Sequence, residues 1–188
     1  MVGGDTLYVF RTKYGNFLPI TCVDLISDDV QYLARAQANR SQIDVLVNIT
    51  YNPASWEFMR EANALVKRHP VFVNLTNVSN PGKKIPDNSD FPDCPDTGGL
   101  YGNSSLFASL DRDLRKKIIA PIPSCFKTPK GNLHPAYDSL IRQIDPDKEG
   151  ILSYELNLRL VRQPKTTNAP DQGYPTLRNL SVSTFEEQ

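Results

Sequence analysis

The sequence predicts an α/β fold with a parallel βαβαβ core, and three features of its first half carry this prediction. Two runs, Ile43 to Ile49 and Pro70 to Thr76, are rich in apolar and β-branched residues, like strands buried on both faces of a parallel sheet. Segments with helical periodicity alternate with these runs. Strand, helix, strand, helix and strand at this spacing predict right-handed crossovers between neighbouring parallel strands.

The first strand pair is predicted from a turn signal. Leu7 to Thr12 and Phe17 to Cys22 flank the segment Lys13 to Asn16, which is a pattern typical of a β-hairpin. Pro19 has no N–H group to donate to a ladder, so its strand is expected at a sheet edge or at a bulge.

Both helices of the core have recognisable starts. Ser27, followed by two aspartates, predicts a helix that runs to about Asn39, because a hydroxyl and negative charges stabilise the positive end of a helix. Asn52 before Pro53 is typical of an N-cap followed by proline at the first helical position. The apolar residues at helical spacing are Val30, Leu33, Ala34 and Ala38 in the first helix and Phe58, Ala62, Leu65 and Val66 in the second.

The second half of the sequence predicts a looser arrangement. Residues Asn77 to Gly99 are dominated by Pro, Asp, Asn and Gly, and the length of this segment predicts a functional or mobile loop. The segments SSLFAS and RKKIIAPI around the turn LDRD predict a second hairpin. A short helix is expected over Pro135 to Ile144.

The last predicted element is a strand at Ile151 to Leu160, whose residues alternate with period two and therefore leave one face exposed. Residues beyond Pro164 are polar and without periodicity, so we expect them to be disordered unless they dock on a neighbour. We therefore divide the chain into a domain at 1–163 and a polar C-terminal tail at 164–188.

Charge and hydropathy exclude several classes of partner. Lys and Arg together number 21, and so do Asp and Glu, so no charge imbalance favours nucleic acid or an anionic membrane. No apolar run approaches the roughly 20 residues that span a bilayer, and the first ten residues lack the pattern of a signal peptide. The sequence therefore predicts a cytoplasmic protein without nucleic-acid or membrane partners.

Metal sites and cofactors are not expected either. Cys22, Cys94 and Cys125 have no CxxC spacing, which argues against a disulfide framework or a zinc site. The segment DPDKEGILSYEL resembles a calcium-binding loop, but Leu156 occupies the position that requires a bidentate carboxylate. We therefore expect no metal and no cofactor.

One cysteine lies where a crevice is expected. Cys22 ends a strand just before a helix start, where backbone N–H groups and the helix dipole favour a thiolate. The alternative is that Cys22 is an inert buried residue. Candidate pocket residues share its edge because each follows a parallel strand; they are Asp24, Tyr51, Asn52, Thr76 and Asn77. For Asn52 the alternative role is a helix cap, and for Thr76 and Asn77 it is the start of a loop.

A cysteine–histidine dyad is a second enzymatic interpretation. His69 immediately precedes a predicted strand, so it is expected at the sheet edge opposite to Cys22. His134 opens a helix in a loop-rich segment, where it could serve as the base or as a surface or capping residue.

The order of these motifs resembles the carbon-nitrogen hydrolase (nitrilase) superfamily. Thr12 and Gly15 match its T-x-x-G pattern, and Cys22 and Asp24 match its nucleophile motif C-x-D/E. The similarity continues through IDVLVNITYNPASW, VFVNLTN, GGLYGNSSLFASLDRDLRKK and EGILSYELNL, and it covers roughly residues 7 to 162. The resemblance implies that the chain is part of a nitrilase-like αββα sandwich, with a C-terminal hairpin and strand after the parallel core.

The resemblance also implies a mechanism. In that superfamily the cysteine thiolate attacks an amide or nitrile carbon, a Glu shuttles the proton and a Lys stabilises the tetrahedral intermediate. Both the Glu and the Lys lie upstream of the segment where this chain begins. We therefore expect the C-terminal half of such a domain, inactive alone, with a small amide or nitrile as substrate and the missing half or a second copy as partner.

The sequence also departs from the family pattern. Val23 replaces the usual aromatic residue after the nucleophile, and Ile26, Ser27 and Asp28 replace F-P-E. These departures leave open unusual substrates or a non-catalytic interaction module that keeps the fold.

Overall fold

The chain is an α/β protein, as predicted. The computed structural model describes residues 6–40, 42–51, 55–77, 104–108, 139–144, 149–158 and 177–185, and the structural statements below concern these residues. The strands are β1 Phe10–Arg11, β2 Asn16–Thr21, β3 Val45–Thr50, β4 Phe72–Asn77, β5 Ser105–Phe107, β6 Leu140–Gln143, β7 Glu149–Leu156 and β8 Leu177–Phe185. The helices are α1 Asp28–Asn39 and α2 Ser55–Arg68, and a 3₁₀ turn covers Cys22–Leu25. No helix in these ranges is long and apolar enough to cross a bilayer.

Strands β1 to β6 form one sheet in chain order, and β7 and β8 form a second sheet. Strands β2, β3 and β4 are parallel to one another, and α1 and α2 connect them, so the predicted βαβαβ core is confirmed. The predicted first hairpin is confirmed as well, because β1 pairs antiparallel with β2. This pairing reaches only Phe17 on β2, and Pro19 therefore lies on an open strand edge, where a missing N–H group breaks no ladder bond.

The turn between β1 and β2 is stabilised by the side chain of Thr12. Thr12 Oγ1 donates to the carbonyl of Gly15 at 2.8 Å and accepts from the N–H of Gly15 at 3.1 Å. The next residue, Asn16, donates its N–H to Oδ2 of the fully buried Asp44 at 2.8 Å. The T-x-x-G pattern therefore stabilises the turn at the start of β2, which is the end of this strand farthest from Cys22.

Both helices cover one face of the six-stranded sheet. The predicted stripe of α2 is buried, with Phe58, Ala62, Leu65 and Val66 each 4% exposed or less. In α1 the stripe is narrower than predicted, because Ala34 and Ala38 are buried but Leu33 is 43% exposed. The expected cap of α2 at Asn52 lies outside the described residues.

The opposite sheet face packs against β7. Its buried residues are Val45, Phe72, Leu106 and Ala108, and the half-buried side chains against them include Leu152, Tyr154, Leu156 and Leu158. The residues of β7 between these are exposed, as the predicted alternation requires. Burial raises the pKa of Tyr154, because desolvation disfavours the phenolate. The described residues therefore form three layers: helices, the large sheet and the β7–β8 pair.

Burial on this second face decreases along the strands. Val45 and Phe72, which pair near the amino ends of β3 and β4, are 4% and 1% exposed. At the carboxyl ends, Thr21, Ile49 and Thr76 form one row across β2, β3 and β4. All three are exposed, and Ile49 is 54% exposed. The β7 layer therefore covers the amino half of this face and leaves the exposed row uncovered by any described residue.

The expected helix over Pro135 to Ile144 is wrong, because Leu140–Gln143 form β6, which pairs antiparallel with β5. A four-residue strand has too little local pattern to identify itself, and its conformation follows from the free edge of β5 that it pairs with. The N–H of Ser139, just before it, donates to Asn63 Oδ1 on α2 at 2.7 Å, which anchors the approach. The partner strand expected after the LDRD turn and the long loop after Asn77 lie outside the described residues.

Residues beyond Pro164 are expected to be disordered unless they dock on a neighbour. Leu177–Phe185 meet this exception, because they form β8 and pair antiparallel with the whole length of β7. The local sequence did not reveal this strand, because a strand forms here only through hydrogen bonds with β7, which is distant in sequence.

Gly150→Ala is expected to loosen β8. A Cβ atom at Gly150 would lie 2.6 Å from the backbone oxygen of Ser183, so the β8 backbone would have to shift. Such overpacking costs about 1–3 kcal/mol. Hydrogen exchange of the amides at 177–185 measures the effect, with Ser153→Ala as control because that side chain is exposed on the same strand. Unchanged exchange in Gly150→Ala would contradict the β7–β8 pairing.

Candidate active site

Cys22 is the first residue of the 3₁₀ turn and forms a sharp bend directly after β2. Its φ is 48°, which makes it the one non-glycine residue in the described ranges with a positive φ. The left-handed region costs a β-substituted residue free energy, and such strain concentrates at functional sites. The side chain is half-buried at the carboxyl edge of the parallel strands, where crevices form in α/β sheets.

Two side chains of β3 hold Cys22 at this bend. The hydroxyl of Thr50 donates to Cys22 Sγ at 3.4 Å, and Asn48 Nδ2 donates to the carbonyl oxygen of Cys22 at 3.0 Å. The parallel register explains both contacts. Ile20 pairs with Asn48, so the chain two residues further along β2 reaches the level of Thr50.

Asn48 is a polar residue in an apolar row. Its partners in the sheet are Ile20 and Leu75, and its own side chain is fully buried. The Oδ1 atom has no hydrogen-bond partner among the described residues. An unpaired buried acceptor costs about 1–3 kcal/mol, so an apolar residue would suit this row better. What this polar group provides among the described residues is the hydrogen bond to the carbonyl oxygen of Cys22.

Asp24 folds back on the chain that leads into Cys22. Its Oδ2 accepts the N–H of Thr21 at 3.1 Å, which caps the 3₁₀ turn. This bond engages one carboxylate oxygen and fixes the side chain beside the backbone. Asp24 therefore supports the bend through the backbone of the residue that precedes Cys22.

A small cleft lies beside the bend, between the 3₁₀ turn, α1 and α2. Asp24, Leu25, Gln31 and Glu61 are among its lining residues. Gln31 Nε2 donates to the carbonyl of Leu25 and to Glu61 Oε2, both at 3.0 Å. Glu61 Oε1 also lies 3.3 Å from Arg60 Nε. The two bonds of Gln31 tie both helices to the turn that carries Cys22. In the described part of the chain, no three His, Cys, Asp or Glu residues come together as metal ligands would.

The other predicted pocket residues that the structure describes lie at the same edge of the sheet as Cys22 but not all on one face. Asn77 pairs with Thr50 and is buried with it on the helix side. Its backbone N–H donates to Ser104 Oγ at 3.0 Å, which joins the ends of β4 and β5. Thr76 lies in the exposed row on the opposite face, and Tyr51 is 51% exposed after β3. Asn52 and His134 lie outside the described residues.

His69 is remote from Cys22, as its place in the sequence predicted. Its Nδ1 lies 2.7 Å from Asn39 Oδ1, at the end of α1. This position precedes β4 and therefore belongs to the amino edge of the parallel strands. A dyad of Cys22 with His69 is excluded by this geometry.

Sequence reasoning missed Asn48 and Thr50. The sequence predicts Ile43 to Ile49 as one strand buried on both faces. In the structure, the alternation of β3 places positions 46, 48 and 50 on the helix side. A polar residue two places before a strand end, on the face that Cys22 shares, was the available signal.

No family model matches the chain, and no curated protein matches it. Among solved structures it is similar to a CN-hydrolase superfamily protein from Xanthomonas campestris, determined with an arsenic adduct in the active site, with 10% identity and a TM-score of 0.44. That match covers 98% of this chain and 45% of the other. A branch 10 member of the nitrilase superfamily from Saccharomyces cerevisiae matches at 11% identity and a TM-score of 0.45, over 78% of this chain and 39% of the other. The chain thus spans less than half the length of each.

Proposed function

We propose that this chain supplies the nucleophile of a thiol-dependent carbon-nitrogen hydrolase that acts on a small, non-peptide amide or nitrile. The observation that carries the proposal is the bend at Cys22, where a positive φ coincides with hydrogen bonds to both Sγ and the carbonyl oxygen. An inert buried cysteine needs neither feature. The order of motifs that resembles the nitrilase superfamily supplies the reaction class.

The proposed reaction on an amide is acyl transfer through a thioester. The Cys22 thiolate forms a bond to the carbonyl carbon, and the carbon-nitrogen bond breaks as the leaving amine takes a proton from a general acid. Water then attacks the thioester and gives a proton back to the general acid. The carbon-sulfur bond breaks, which releases the carboxylic acid product and regenerates the Cys22 thiolate. By the family resemblance, the acid-base Glu and the Lys that stabilises the oxyanion come from a preceding segment of a longer protein.

The residues of this chain position the sulfur for that attack. Thr50 and Asn48 donate hydrogen bonds to Cys22, and Asp24 caps the 3₁₀ turn that begins at Cys22. We propose that a cytoplasmic small molecule binds at this edge and that the longer protein or a second copy covers the exposed row. No cofactor is part of the proposed chemistry.

A non-catalytic interaction module is the second candidate. The observation that favours it is the exposed apolar surface at the Cys22 edge, where Val23, Ile49 and Tyr51 are each more than half exposed. Such exposed apolar residues suit a protein partner.

Ammonia release over a panel of small amides and nitriles separates the two candidates. We expect turnover by a longer protein that contains the upstream Glu and Lys, and none by the 188-residue chain alone. The reason is that catalytic groups act as a unit, so losing its members costs several orders of magnitude in rate. Turnover by the chain alone that disappears in its Cys22→Ala form would reveal a base within it, with His134 the first residue to test. No turnover by any longer protein would favour the interaction module.

A further inference from the structure

Thr50 is the side chain that contacts the sulfur of Cys22. Its hydroxyl donates to Sγ at 3.4 Å, within the longer range of hydrogen bonds to sulfur, and Thr50 is only 4% exposed. A donor shielded from water interacts with a negative charge more strongly than an exposed one. The contact is therefore placed to act on the ionised form of the thiol.

Asn48 contacts the other end of the same residue. Its amide holds the Cys22 carbonyl, and it does so from a fully buried position that leaves Oδ1 without a partner in the described chain. The positive φ of Cys22 needs an external restraint, and the carbonyl that follows this φ is the atom that Asn48 holds.

We propose that Thr50 activates the Cys22 thiol by stabilising its thiolate, and that Asn48 is a positioning residue that keeps Sγ within reach of the Thr50 hydroxyl. The inference deepens the proposed function and rests on it for its catalytic meaning. Thr50 keeps its own proton throughout, and the thiol proton leaves to solvent or to the general base. Thr50 is therefore a donor to the reacting sulfur and not a base.

The size of the effect follows from two opposing terms. A hydrogen bond to a charged group raises the population of the charged form about ten- to a hundredfold. A more stable thiolate is also a weaker nucleophile, which cancels about half of this gain on a logarithmic scale. Loss of the Thr50 hydroxyl should therefore slow alkylation of Cys22 about three- to tenfold near neutral pH.

The test uses the whole chain with Thr50→Val, which keeps the shape and removes the hydroxyl, and Thr50→Ser, which keeps the hydroxyl. Brief iodoacetamide labelling followed by peptide mass spectrometry resolves Cys22 from Cys94 and Cys125, which calibrate the reagent. We expect Thr50→Val to slow Cys22 about three- to tenfold and Thr50→Ser to stay within about twofold of the parent chain. Equal rates for Thr50→Val and the parent chain would overturn the role of Thr50. If Thr50→Val does not fold, as judged by its melting curve, Thr50→Ala carries the same expectation.

Asn48→Leu tests the positioning role. We expect it to slow Cys22 as much as Thr50→Val does, and the double variant to be no slower than Asn48→Leu alone, because both changes break one arrangement. Independent, multiplicative effects would overturn the role of Asn48. The readout is thiol reactivity and not hydrolysis. A failure of the proposed function, seen as hydrolysis that survives loss of Cys22, is therefore distinguishable from a failure of this inference.

Discussion

Replacement of Cys22 by alanine is expected to abolish amide or nitrile hydrolysis by a longer protein that contains this chain. Removing the nucleophile of a catalytic set lowers the rate by a factor of about 10⁴ or more, since no covalent intermediate can form. The Thr50 hydroxyl would then lose its sulfur partner, whereas Asn48 would keep its bond to the carbonyl oxygen at position 22. The remaining hydrolysis is expected to be only what substrate binding provides without a covalent nucleophile.

The matched control for this prediction is Val23→Ala. Val23 is the next residue in the chain and is 56% exposed, so its truncation leaves the bend and its two hydrogen bonds in place. Ammonia release by the longer protein should persist in Val23→Ala and vanish in Cys22→Ala. Hydrolysis that survives Cys22→Ala would show that the cysteine is structural, and the assignment of a nucleophile would be withdrawn.

Phe72→Ala is expected to destabilise the chain by about 3–5 kcal/mol. Phe72 is 1% exposed and lies in the cluster between the large sheet and β7, with Val45 and Leu106. Deleting its ring removes buried apolar surface and leaves a cavity between two layers that cannot close completely. The prediction therefore tests whether the β7 layer covers this face of the sheet.

Ile49→Ala is the control, because Ile49 lies on the same face, in the neighbouring strand, but is 54% exposed. Its truncation should cost less than about 1 kcal/mol, since little of its surface is removed from water on folding. Urea unfolding of the parent chain and both variants gives the free energies of unfolding. A loss in Phe72→Ala no larger than in Ile49→Ala would show that the face is open in solution.

The core was predictable because its signals are local. A run rich in apolar and β-branched residues, such as Ile43 to Ile49, is typical of a strand in a covered parallel sheet, and α2 shows its buried stripe within one helix. The edge that carries Cys22 followed from the same logic, since parallel strands all end at one edge. This logic predicts the edge at which a residue lies but not the face of the sheet. Thr76 was expected beside Cys22, and it lies on the other face of the sheet from Thr50.

The sequence by itself determined the α/β class, the parallel order of the core strands and the place of Cys22 at their carboxyl edge, because each depends on patterns within about fifteen residues. The tertiary structure alone decided β6 and β8, which are strands because distant partners offer them hydrogen bonds. It also decided the contacts of Asn48 and Thr50 with Cys22. These two residues lie 26 and 28 positions after Cys22 in the chain. Strand register converts such separations into contacts of about 3 Å, and register depends on the pairing of whole strands.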